Sequence, residues 1–177
     1  MKKTGILLAL FVFSALPAAA QHNEFGVLLG DTKAMKSGVG KGKFESGMRE
    51  LYYGMELEPG TFFRIELGRM GVKTAQPNGS GGFDVDPNGT VEHADGIIEY
   101  RFSEAYGYTG LFAGAGLYRQ KTNGAEQSDY GFQGGINGVF PLNRTYAIVV
   151  EGAYHWVNFY TPRPRFVTLG AGVKMSF

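Results

Sequence analysis

From Tyr146 to Trp156 the chain alternates without interruption. Tyr146, Ile148, Val150, Gly152, Tyr154 and Trp156 fall on one parity, and Ala147, Val149, Glu151, Ala153 and His155 on the other. Successive side chains of a strand point to opposite faces, so a period of two sorts these residues cleanly, whereas a helical period would mix them. The last residues repeat the device. Val167, Leu169, Ala171, Val173, Met175 and Phe177 alternate with Thr168, Gly170, Gly172, Lys174 and Ser176. So do Phe63, Ile65 and Leu67 against Arg64, Glu66 and Gly68, and Ile98, Tyr100 and Phe102 against Glu99 and Arg101. Near the N-terminus, Leu51, Tyr53, Met55 and Leu57 oppose Tyr52, Gly54 and Glu56. A chain patterned this way is committed to sheet.

Eight such runs are legible, at 23–31, 47–57, 61–71, 92–103, 109–119, 129–140, 145–156 and 166–177. Three separators are short (EPG, EAYGY, PLNR). The others are polar and read as long loops: TKAMKSGVGKGKFES, VKTAQPNGSGGFDVDPNGT, QKTNGAEQS and VNFYTPRPR. Short and long connections alternate strictly. In an up-and-down meander this puts the tight turns and both termini at one end and the long loops at the other. The fold class predicted is all-β: an eight-stranded antiparallel up-and-down transmembrane β-barrel spanning residues 21–177.

The chemistry of the two faces supports the membrane. Lys or Arg facing lipid near the midplane costs about 2–4 kcal/mol. The charged parity therefore belongs inside, as an ionic network of Glu56, Arg64, Glu66, Glu99, Arg101, Glu151, His155 and Lys174. An eight-stranded barrel is just wide enough for side chains to fill. Glycine, 28 of 177 residues against a usual share of about 7%, leaves room for the long chains at Gly54, Gly68, Gly114, Gly116, Gly135, Gly170 and Gly172. Phe63, Tyr100, Phe102, Tyr146, Tyr154, Trp156 and Phe177 lie near strand ends, where amphipathic rings form girdles at membrane interfaces. Ten residues at ~3.3 Å, tilted by about 45°, span roughly 23 Å. A soluble barrel carrying a small ligand requires the opposite orientation, with the apolar parity inward.

Residues 1–20 stand apart. MKKTGILLALFVFSALPAAAQ has a basic start, an apolar run from Gly5 to Leu16 and small residues at Ala18 and Ala20. That is the layout of a secretory signal peptide cleaved between Ala20 and Gln21, and the run is short of the ~20 residues of a spanning helix. Losing Lys2 and Lys3 from 17 basic residues, against 16 acidic ones, turns a net charge of +1 into −1. A near-neutral chain gives no reason to expect nucleic acid as a partner. There is no cysteine, hence no disulfide framework and no thiolate metal site.

The leader, the eight alternating strands and the terminal Phe177 together resemble small outer-membrane barrels of the OmpA/OmpX type. The resemblance implies residence in the outer membrane of a Gram-negative bacterium, in contact with its lipid and lipopolysaccharide. It also implies that the C-terminal strand ending in Phe177 is the signal read by the barrel-insertion machinery. A peptidoglycan-binding domain does not follow Phe177, so a cell-wall tether is not implied. The reading is of a non-enzymatic barrel without cofactor, acting structurally or through its external loops.

An enzymatic alternative is a lipid A deacylase, itself a small barrel. Those enzymes resemble a His-x-Ser constellation late in the chain. Here the position two residues after His155 is Val157, and acyl transfer without an activated hydroxyl has no attacking group. A second motif is Asp84, Asp86, Asn88, Gly89, Glu92 and Asp95, which carry the spacing of a twelve-residue calcium loop. Pro87 and the missing helices argue instead for an acidic turn, and no metal ligand is assigned. Lys33, Lys36, Lys41 and Lys43 in the first long loop are a solvated set within reach of lipopolysaccharide phosphates.

Overall fold

The computed structural model describes residues 22–35, 44–104, 106–122, 125–158 and 165–177. The leader, the Ala20–Gln21 junction and Lys36, Lys41 and Lys43 lie outside the described residues. Among the described residues ten strands follow in chain order: β1 Asn23–Ala34, β2 Glu45–Glu58, β3 Thr61–Gly71, β4 Thr74–Pro77, β5 Phe83–Asp86, β6 Thr90–Glu104, β7 Gly107–Thr122, β8 Ala125–Pro141, β9 Tyr146–Val157 and β10 Arg165–Ser176. Eight of them close a barrel in the order β1-β2-β3-β6-β7-β8-β9-β10, and every pair is antiparallel. The seam is β1 on β10, from Glu24↔Ser176 to Ala34↔Phe166. It is tied off where Asn23 and Phe177 exchange backbone hydrogen bonds of 3.0 and 2.9 Å. The alternating terminal strand thus removes the last free edge.

Two connections differ from the sequence reading. QKTNGAEQS is not a long loop: β7 and β8 continue outward through it in register, Tyr118↔Asp129 to Thr122↔Ala125, with only residues 123 and 124 between the strands. Ladder hydrogen bonds form as well in water as in lipid. A strand that leaves the apolar zone therefore loses its hydrophobic signature before it loses its structure. The loop after β3 carries the small β4–β5 hairpin. At the other end, Gly60 takes the left-handed φ of +83° that the turn between β2 and β3 requires. Asn143 caps the β8–β9 turn by accepting from the amides of Thr145 and Tyr146, both at 2.8 Å.

The two faces have opposite chemistry. Outward-facing Leu29, Leu51, Leu67, Ile98, Leu111, Leu117, Ile136, Ile148, Val150, Leu169 and Val173 are all exposed. Tyr100 with Phe102, and Phe132 with Tyr130 and Trp156, form ring clusters toward opposite ends of this belt. Met55, on the outer parity, is nevertheless buried; it lies just before the register shift between Glu56 and Glu58. The belt ends in a line. Cross-strand neighbours Leu51, Leu67, Ala94, Leu117 and Tyr130 form one outward row, and the next row outward is Arg49, Arg69, Glu92, Arg119 and Ser128. One step along the strands separates hydrocarbon-like surface from charge.

Candidate functional site: the ionic interior and its loop-end rim

At the turn end, Lys174 on β10 donates to Glu24 on β1 and, at 2.6 Å, to the Tyr108 hydroxyl. Arg101 on β6 forks onto Glu24 and donates from Nε to Glu99 at 2.6 Å. Its guanidinium lies 3.3 Å from the Phe62 ring centroid. One level deeper, Arg64 reaches three carboxylates: Glu66 and Glu151 at 2.8 Å and Glu99 at 3.2 Å. It stacks 4.2 Å from the Tyr52 ring centroid. Gln133 donates to Glu66 at 3.1 Å and Asn137 to Glu151 at 3.5 Å. Only glycines permit this density, since a Cβ at Gly54 or Gly110 would press within 3 Å of Glu24 or Glu99. Buried charges this tightly paired satisfy the requirement that ions removed from water find both counter-charge and hydrogen bonds.

Six of the eight residues expected in an interior network meet here: Arg64, Glu66, Glu99, Arg101, Glu151 and Lys174. Glu56 does not. It sits at the turn-end rim, 2.9 Å from the exposed His22, because it is the last in-register position of β2 before the turn to β3, paired with Phe62. His155 stands apart as well. It is fully buried at the loop end and bridges the Tyr118 hydroxyl (3.0 Å) and Thr168 (3.1 Å).

Sequence reasoning did not single out Glu24, Glu50 and His93 for this interior, and it read Asp95 as part of a calcium loop. Carrying the parity outward along each strand finds them: Glu50 shares a face with Tyr52, and His93 and Asp95 share one with Ile97 and Glu99. His93 Nδ1 lies 2.6 Å from Asp95, and its ring stacks on Tyr118 with centroids 5.4 Å apart. The calcium spacing does not converge. Asp86 accepts the Asn88 amide in a turn, Glu92 points outward to Arg119 and Lys121, and Asp95 points into the barrel. Residues three apart on a strand face opposite ways.

Above this level Ala34, Met70, Val72, Val91, Tyr118, Val157 and Phe166 form an apolar plug. Outside, Glu92 receives Arg119 and Lys121, both of which also approach Glu126. Hydrogen bonds from Arg119, then Lys121, hold the Glu92 carboxyl below its usual range. Lys33 lies over the Phe44 ring.

No protein-family model and no curated protein matches the chain. Solved structures do. Neisserial surface protein A superposes with a TM-score of 0.67 at 15% identity, covering 88% of this chain and 96% of that one. The N-terminal β-barrel domain of OprF from Pseudomonas aeruginosa gives 0.53 at 12%, covering 89% and 98%. Ail of Yersinia pestis, solved with the heparin analogue sucrose octasulfate, gives 0.51 at 13%, covering 88% and 98%. Identity this low speaks for the fold alone, a closed eight-stranded antiparallel β-barrel similar to those of these small outer-membrane proteins.

Proposed function

We propose that the chain is an integral barrel of a Gram-negative outer membrane, exported with residues 1–20 as leader, whose role is structural and adhesive, not enzymatic. The observation that carries this is the inversion of its faces. Aliphatic and aromatic side chains are exposed around the wall, ionised ones are enclosed, and the apolar belt stops at one charged row. A soluble protein rarely exposes so large an apolar surface, whereas hydrocarbon demands it. The plug, Arg64 and the Lys174–Tyr108 contact occupy the axis, which favours a filled body over a pore. His155 has Val157 where the His-x-Ser pattern has its serine, and the hydroxyl it does meet, Thr168, is as fully buried as the imidazole, which argues against an acyl-transfer site open to lipid. Phe177, which follows β10 and pairs with Asn23, is the residue the proposal gives to the insertion machinery to read.

Surface contact then falls to the loop end. Exposed Arg49 and Arg69 lie side by side above Leu51 and Leu67, at the height where lipopolysaccharide phosphates meet a barrel. The β7–β8 hairpin and the β4–β5 hairpin project beyond. Fractionation of the native cell envelope tests the reading, with heat-dependent gel mobility as the mark of a folded barrel. The chain is expected in the outer-membrane fraction; recovery as a soluble periplasmic protein ends the proposal. Incubation with lipopolysaccharide followed by lipid A mass analysis is expected to show no acyl change.

A further inference from the structure

The interior holds more negative charge than its fixed cations answer. Glu24, Glu50, Glu66, Asp95, Glu99 and Glu151 are buried with Arg64, Arg101 and Lys174. All three cations are spent on Glu24, Glu66, Glu99 and Glu151. Among the described residues, the group facing Glu50 is His93, whose Nε2 lies 3.6 Å from Glu50 Oε1, too far for a hydrogen bond. Both atoms are buried without a hydrogen-bond partner. Glu50 and His93 flank Gly68 in one cross-strand row, and a Cβ at Gly68 would fall 1.9 Å from His93 Nε2. The missing side chain is what lets the imidazole reach across β3 toward Glu50.

We propose that Glu50, Glu66 and His93 form a binding site for a divalent first-row transition cation. One ligand atom from each lies within 4.8 Å of the other two. Metal bonds of about 2.0–2.2 Å to imidazole and carboxylate place neighbouring ligand atoms about 3.3 Å apart, so the Glu50–His93 separation needs to close only slightly. The surroundings are those of a metal ligand set. Asp95 holds His93 Nδ1 and leaves Nε2 as the donor, the carboxylate–histidine arrangement that orients metal-bound imidazoles. Tyr118 fixes the ring plane, and Arg64 with Gln133 fixes the Glu66 carboxylate. One imidazole with two carboxylates suits Zn²⁺ or Co²⁺ better than Ca²⁺.

The test uses the tag-free chain refolded into detergent micelles with Co²⁺, freed of excess metal by gel filtration, then read by elemental analysis and visible absorption. The expected result is one retained Co²⁺ per chain with d–d bands that Zn²⁺ abolishes. Glu50→Gln, verified as folded by heat-dependent mobility, is expected to lose binding about tenfold or more, and Asp95→Asn to weaken it within about 10–100-fold. Glu56→Gln, at the rim, is expected to bind as the parent does. A folded parent chain that retains no cobalt, whether refolded with it or incubated afterwards, overturns the proposal. So does Glu50→Gln retaining the same amount with the same spectrum. Neither outcome bears on membrane residence, which fractionation decides separately.

Discussion

The turn-end and loop-end halves of the interior are built from the same kinds of side chain and solve opposite problems. Toward the turns, three cations and four carboxylates interlock, with Tyr52, Phe62 and Tyr108 supplying ring faces for the guanidinium and ammonium groups. Toward the loops, carboxylates meet histidines, polar atoms on Glu50, His93 and Asp95 have no hydrogen-bond partner, and an apolar plug covers the cluster. The first half is an ionic core in which each cation meets carboxylates and the members depend on one another. The second is a polar chamber with ligand atoms to spare. In a barrel, burial alone does not dictate satisfaction; the arrangement of cations among neighbouring strands does.

The sharpest way to break this contrast is at Arg64. Arg64→Met leaves three carboxylates facing one another without their shared cation, and loss of one partner from a buried ionic set costs about 3–5 kcal/mol. Urea unfolding in micelles is expected to show that loss, or the folded band on unheated gels to disappear. A midpoint within error of the parent would mean that the network is ornamental. Next comes the comparison of inside with outside. Val150→Arg puts on the exposed apolar face, one position from Glu151, the charge the interior welcomes, and on the proposed membrane reading is expected to cost about 2–4 kcal/mol in bilayers. An unchanged bilayer stability would place that face elsewhere than in hydrocarbon.

In the loop-end half, Gly68→Ala drives a methyl group into the His93 imidazole. The steric cost is expected at about 1–3 kcal/mol, read from the same urea midpoint, whereas Gly152→Ala on the outer face is expected to cost less. The smallest effect lies outside the barrel wall. Because hydrogen bonds from Arg119 and Lys121 hold the Glu92 carboxyl below its ordinary range in the folded chain, these bridges stabilise the loop end of the β6–β7 ladder above the ordinary carboxylate range. That contribution fades as pH falls through the lowered value. Glu92→Gln is expected to speed tryptic cleavage after Arg119 and Lys121 slightly at neutral pH while leaving the global unfolding midpoint in place.

Much of this architecture is legible before any coordinates. Period-two alternation is a local property, so Tyr146–Trp156 or Val167–Phe177 declare their strands and their two faces on sight. The cost of ionised groups in lipid then assigns Arg64, Glu66 and Glu151 to one side. What stayed hidden has a physical reason in each case. The β7–β8 extension carries polar residues on both faces once it leaves the belt, and its pattern there is that of a loop. Glu56 has the right parity, but it is the last in-register position before the β2–β3 turn and so meets the exposed His22 at the rim, and parity alone does not give depth. Asp95 fits a calcium spacing only if the chain curls there, and strand pairing with Gly116 keeps it extended.

The sequence by itself determined strand and face: which side chains belong to the apolar parity and which to the charged one. The tertiary structure decided the partners. Which carboxylate meets Arg64, and that His93 reaches Glu50 over Gly68, depends on the stagger between strands around the closed wall. That stagger is a sum of register over eight ladders, and no single segment encodes it.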